Sequence, residues 1–233
     1  MDVLRDFAAS HSISYPLLSD ERSAVIQEFG ILNTNIPEGH DWFGVPYPGT
    51  YLIGQDGVVI DKSFEVKHGV RESANDMLRE GFAARDVDHG EAREVTTTHL
   101  SARAYFASRT IRPGQLTVLT VEISIAEGVH VNPRPLPAGY TPMELTMEGD
   151  QGLVLETVDY PEPQMMVLEA LRETLPVYTR EIELKARCRS VTKGEEGPIS
   201  INVQLNYQAC DDRECFLPEN LGFTLPLLSL PHA

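Results

Sequence analysis

The sequence is poor in cysteine, in basic charge and in long apolar runs, and each shortage bears on what the chain can do. Lys and Arg total 19 against 35 Asp and Glu, a formal net charge of -16. A surface so acidic is unsuited to nucleic acid, which is held by a basic face that displaces counterions. It is equally unsuited to an anionic membrane surface. No run approaches the roughly 18 apolar residues of a membrane span, so membrane insertion is not expected. The opening stretch, Met1-Asp2-Val3-Leu4-Arg5-Asp6-Phe7, carries charges where a secretory leader would be apolar. Gly-rich phosphate loops, G-x-S-x-G elbows and H-E-x-x-H helices are absent. There are only 3 cysteines, which do not by themselves settle a redox compartment.

What remains is 233 residues, 42% hydrophobic and 23% charged, enough for one large domain or two small ones. Two of the cysteines lie in one segment, Tyr207-Gln208-Ala209-Cys210-Asp211-Asp212-Arg213-Glu214-Cys215-Phe216-Leu217-Pro218. Four polar residues separate them, directly after an alternating strand. Cysteines at the feet of a short hairpin face each other across an antiparallel pair. Their expected Cα separation is about 4.4–6.8 Å, the range a disulfide needs. Two uses stay open at this point, a structural staple and a reversible dithiol. The third cysteine, Cys188, shares a strand face with Ile182, Leu184 and Ala186, and is expected to be a buried small hydrophobe.

The two halves of the chain follow different periods. Residues 1–81 read as α/β. Val3, Leu4, Phe7 and Ala8 form one helix face, and Ile13 to Leu18 reads as a short strand. Ser19-Asp20 caps a second helix carrying Ala24, Val25 and Phe29, stopped by Gly30. Thr50-Tyr51-Leu52-Ile53 and Val58-Val59-Ile60 make a hairpin around Asp56-Gly57, and Arg71 to Glu80 reads as a closing helix. Residues 82–94 are charged, weakly periodic and read as a linker. Over residues 95–233 the period is two. Leu100, Ala102, Ala104 and Phe106 share a face. So do Leu119, Val121, Ile123 and Ile125, then Met143, Leu145 and Met147, then Ile199 to Tyr207 by twos, and Leu221, Phe223, Leu225 and Leu227. Repeated half-buried strands of this kind predict a β-sandwich, with Gln164 to Thr174 as a short helical exception.

Thiol exchange needs a thiolate, and local charge sets how much of it exists. Asp211, Asp212 and Glu214 outnumber Arg213 around the pair, a field that disfavours the thiolate and suits a relay better than a hair-trigger nucleophile. As a metal site the cluster is weak: two thiols four residues apart, with no second C-x-x-C and no nearby His, are a poor zinc signature. No metal and no cofactor are expected. His130 stands in a Pro-rich loop as a conceivable ligand or base. His40, Asp41 and Trp42 read as a packed loop anchored by Trp42.

The runs Gly128-Val129-His130-Val131-Asn132-Pro133, Tyr160-Pro161-Glu162-Pro163 and Tyr207-Gln208-Ala209-Cys210 through Cys215-Phe216-Leu217-Pro218 occur in one order. Over roughly residues 95–230 that order resembles the N-terminal, immunoglobulin-like domain of DsbD-type thiol:disulfide interchange proteins. The resemblance implies electron transfer between a thioredoxin-like partner and protein thiols through Cys210 and Cys215. The aromatic loop that caps the family's cysteines is not legible here. Residues 13–28 (ISYPLLSDERSAVIQE) and 45–61 (VPYPGTYLIGQDGVVID) resemble the C-terminal part of the redoxin (AhpC/TSA, thioredoxin-like) family. This second resemblance places Pro48 at that fold's substrate-facing cis-proline. No cysteine precedes Cys188, so this half is expected to be neither a peroxidase nor a dithiol reductase.

The expected architecture is therefore a truncated thioredoxin-like α/β unit followed by an immunoglobulin-like β-sandwich, and the expected function is a Cys210/Cys215 electron relay. The alternatives are a non-catalytic protein-binding module with a structural disulfide, and a fragment of a peroxiredoxin-like antioxidant enzyme. The compartment is extracytoplasmic if a leader lies upstream and cytoplasmic otherwise.

Overall fold

The computed structural model describes residues 2–64, 71–72, 78, 89–134, 140–148, 152–168 and 173–231. Contacts divide the chain into two compact units, residues 1–50 with 62–68 and residues 51–61 with 69–233.

In the first stretch, α1 (Asp2–Ser10) and α2 (Ala24–Glu28) are short helices. Asp20 caps α2 as its sequence suggests, its carboxylate accepting the N–H groups of Ala24 at 3.0 Å and Ile26 at 2.9 Å. Gly30 takes a positive φ of 67° where the helix stops. Ile13 to Leu18 forms no strand. Leu18 is 91% exposed there, and an extended segment with no strand beside it has no ladder to join. The hairpin does form, as β1 (Gly49–Ile53) and β2 (Val59–Phe64). Its turn is closed by Gly57 at φ 81° and by the Asp56 carboxylate, which accepts the Val58 N–H at 3.1 Å. Ile53, Val59 and Ile60 stay about half exposed. A two-stranded sheet buries too little apolar surface to be stable alone.

The second unit is an immunoglobulin-like β-sandwich. Its strands are β3 (Arg71–Glu72), β4 (Arg93–Thr96), β5 (Leu100–Phe106), β6 (Thr110–Ile111), β7 (Gln115–Ile125), β8 (His130–Val131) and β9 (Glu144–Met147). They continue as β10 (Leu153–Asp159), β11 (Gln164–Leu168), β12 (Glu173–Val177), β13 (Glu181–Ser190), β14 (Gly197–Tyr207), β15 (Ala209–Cys210) and β16 (Glu219–Ser229). One sheet runs β10-β13-β7-β5-β4 with β3 parallel to β7; the other runs β6-β16-β14-β9. The inward sets are those the alternation marks out, with Leu119, Val121, Leu184, Ala186, Ile201, Val203, Leu205, Phe223 and Leu225 all buried in one core. Cys188 lies in that core, its Sγ directed at the Ala186 carbonyl oxygen at 3.6 Å.

Of two further helices expected from sequence, the one at Gln164 to Thr174 is a strand over Gln164–Leu168, and the one at Arg71 to Glu80 begins as the two-residue β3. Arg71–Glu72 adds to the start of β7, opposite Gln115 and Leu116; of the rest of that stretch only Leu78 is described, and it is helical. Gln164–Leu168 pairs antiparallel with β12, setting Met165 against Pro176 and Met166 against Leu175. The pairing with β12 holds the segment extended. Most of the stretch read as a linker lies outside the described residues, whereas its last residues enter β4, where Arg93 faces Ala104.

Candidate redox site

The residues around the cysteines form a tight hairpin. Phe216 N–H donates to the Ala209 carbonyl and Asp211 N–H to the Glu214 carbonyl, each at 2.9 Å. Only Asp212 and Arg213 remain in the turn. The Asp211 carboxylate holds them by accepting the N–H groups of Arg213 and Glu214, both at 2.8 Å. Those two donors, Glu214 first, keep the Asp211 carboxyl below its ordinary pKa. Between the hydrogen-bonded pairs sits Cys210 opposite Cys215, joined by a disulfide with a Cα separation of 3.9 Å. That is shorter than the 4.4–6.8 Å expected; the pair, flanked by hydrogen-bonded neighbours on both sides, occupies the narrow position of an antiparallel ladder, where about 4.5 Å is usual.

The two sulfurs have different surroundings. Cys210 is 1% exposed, whereas Cys215 lies open to solvent. β15 places Cys210 directly opposite His130 of β8, and Ala209 opposite Val131. His130 is buried, and burial lowers its pKa below 6.5 against an opposing pull from Asp211. One residue on, Asn132 is fully buried and directs its Nδ2 at Cys210 Sγ, 3.9 Å away. Its Oδ1 accepts no hydrogen bond among the described residues. A buried unpaired acceptor of this sort costs about 1–3 kcal/mol. A pocket of about 270 Å³ lies over the bridge, lined by His130, Tyr140, both cysteines and the turn between them.

Each residue of Tyr207-Gln208-Ala209-Cys210 has its own task. The Tyr207 hydroxyl donates to Glu219 at 2.8 Å and lies 2.9 Å from the Thr97 hydroxyl. Glu219 also meets His99 Nδ1 at 2.6 Å, and the His99 ring stacks on Phe216 with centroids 4.4 Å apart. The Gln208 side chain spans two segments, donating to the Phe216 carbonyl at 2.9 Å and accepting the Thr141 N–H at 3.1 Å. Phe216, the residue after Cys215, is thus held by its backbone, by Gln208 and by His99.

The comparisons with known proteins follow the same division of the chain. The family model described as "Thiol:disulfide interchange protein DsbD, N-terminal" matches residues 97–226. The chain belongs to that family. Residues 1–62 match the AhpC/TSA family, so this DsbD-type domain is fused to a redoxin-like segment. Among solved structures, the N-terminal periplasmic domain of ScsB from Proteus mirabilis is similar at 16% identity and TM-score 0.42. The match covers 60% of this chain and 51% of that one, about half its length. The reduced N-terminal domain of DsbD from Neisseria meningitidis is similar at 18% identity and TM-score 0.33, over 49% of this chain and 82% of that one. The GAE domain of GGA2p from Saccharomyces cerevisiae is similar at 10% identity and TM-score 0.36, over 58% and 98%. No curated protein matches significantly.

The family match and the disulfide together support a thiol–disulfide exchange module. The structure brings Cys210 and Cys215 together and sets His130, a conceivable ligand or base by its sequence, across from Cys210. Pro48 is half-buried and leads into β1 at Gly49. There a Cβ would come within 2.5 Å of the Ser63 carbonyl oxygen and closer still to the Phe64 ring, so the close approach requires glycine. Trp42 is 57% exposed, and its backbone N–H donates to His40 Nδ1 at 3.1 Å. Sequence reading missed Asn132 and Tyr140. The Asn132-Pro133 pair was in view, but nothing in its spacing points to a sulfur 78 residues away. Tyr140 lines the pocket over the bridge.

Proposed function

We propose that the domain relays electrons by thiol–disulfide exchange with a thioredoxin-like protein or a protein-thiol substrate, and that Cys215 is the sulfur its partners meet. The observation that carries this reading is the unequal exposure of the bridge, with Cys215 open and Cys210 buried. A partner thiolate attacks Cys215 Sγ. The Cys210–Cys215 bond breaks, its electron pair leaves on Cys210 Sγ, and a partner–Cys215 disulfide forms. The partner's second thiolate then attacks its own sulfur in that mixed disulfide and releases Cys215 as a thiolate. Two electrons pass from the partner dithiol, which is oxidised, to this pair, which is reduced. Reversing the sequence delivers them to a substrate disulfide.

Energetics favour exchange over a staple. A bridge closing so short a loop removes only about 2 kcal/mol of unfolded-state entropy. Residues 1–62, the redoxin-like segment, contain no thiol; the segment serves this reading as an attached docking scaffold.

Differential alkylation across a redox titration tests the reading. The bridge should open at a potential above about −300 mV, the level below which structural disulfides lie, while Cys188 stays protected. With a thioredoxin-like partner, Cys210→Ser should accumulate a mixed disulfide through Cys215, and Cys215→Ser should accumulate at least about tenfold less. A bridge that persists below that potential, or equal trapping by both variants, returns the pair to a structural role.

A further inference from the structure

When the bridge opens at Cys215, negative charge appears on a sulfur that water does not reach. Cys210 is 1% exposed, and the nearby side chains Asp211, Asp212 and Glu214 are acidic. A leaving thiolate so nearly buried is favoured by a donor inside the protein. The Arg213 cation does not supply it: its Nε lies 3.9 Å from Asp212, with both side chains more than four-fifths exposed. His130 stands opposite Cys210 but is held towards its neutral form by burial.

We propose that Asn132 is the residue that stabilises the Cys210 thiolate, its buried amide donating to Sγ as the disulfide opens. The proposal rests on the exchange reading above. Nδ2 already lies 3.9 Å from Sγ and Asn132 is fully buried, so the donor is in place before charge develops. The backbone fixes it there. Asn132 precedes Pro133, which confines it to extended conformations. Its carbonyl accepts the Met143 N–H at 2.7 Å, and the preceding Val131 exchanges both backbone hydrogen bonds with Tyr178, at 2.8 and 3.0 Å. The unpaired Oδ1 fits the same role. A disulfide sulfur and a thiolate can only accept, so they take Nδ2. A protonated Cys210 thiol has a hydrogen to give, and a half-turn of the amide offers it Oδ1. One side chain thereby serves every protonation and redox state of Cys210.

Three versions of the full chain test this: unchanged, Asn132→Leu, which keeps the volume without the donor, and Asn132→Asp, which keeps the shape and replaces the donor with an acceptor. Opening of the bridge by dithiothreitol should slow about tenfold in the leucine variant, the worth of one charge-assisted hydrogen bond, and further in the aspartate variant. In a Cys215→Ser background, the ultraviolet absorbance of the Cys210 thiolate should rise at higher pH in both variants than with Asn132. A packing role does not move that titration. If either variant folds and matches the unchanged chain in rate and titration, the proposal is overturned while exchange itself stands. If the unchanged chain is not opened by a dithiol at all, it is the exchange reading that fails.

Discussion

The imidazole of His130 is the residue whose burial makes the site sensitive to acid. Desolvation holds its pKa below 6.5, with Asp211 opposing. The unfolded chain therefore takes up a proton near pH 6.5 that the folded chain refuses. The stability this residue contributes is whole above that pH and is lost as pH falls from 6.5 towards the folded value. The urea midpoint of the domain should be lower at pH 5 than at pH 7.5, and His130→Phe should shrink the difference. An unchanged difference would show that His130 does not carry the proton uptake. Asp211 adds a second loss at lower pH. Its carboxylate is favoured by the Glu214 and Arg213 N–H groups, so its contribution is present above its ordinary pKa and disappears as the group protonates.

Among the elements, the hairpin and β14 carry the site, and the reach of sequence reading can be judged on them. The inward set Ile201, Val203, Leu205 and Tyr207 is legible because a strand has one period and its apolar residues obey it. The Cys210–Cys215 pairing is legible because loop length fixes which residues face each other. Asn132, Tyr140 and the His99–Glu219–Tyr207–Thr97 chain are not, because they join residues as far as 120 positions apart and only tertiary packing sets those meetings. The helix expected at Gln164–Thr174 gives way to a strand over Gln164–Leu168 for a related reason. Short apolar runs fit either period, and a waiting strand partner decides. That chain of hydrogen bonds gives the prediction at this scale. Tyr207→Phe leaves the ring packed but removes its bonds to Glu219 and Thr97, and should lower unfolding stability by about 1–2 kcal/mol in urea titrations. A loss within error would mean water replaces the hydroxyl.

At the scale of the whole molecule, the large core lies in the sandwich, while the redoxin-like stretch leaves Val3, Leu18, Val25 and Phe29 more than half exposed. We propose that the two behave as separable units joined N-terminal to His89. His89 accepts an N–H from Arg109 through its carbonyl at 3.2 Å and packs its ring 4.7 Å from that of Tyr105, so it is tied to the sandwich. Brief trypsin treatment should cut at Arg85 and leave a C-terminal fragment that keeps the bridge, with the N-terminal fragment degraded first. A first cut within residues 199–227 would refute the division. The ladder around the bridge has a wider consequence. The backbone bonds from Phe216 to Ala209 and from Asp211 to Glu214 do not depend on the sulfurs, so the same two rungs hold the turn whether the bond between them is made or broken. Under the proposed exchange, the domain would take up or give up two electrons with little change in its backbone, and a partner would read its state only by touching it.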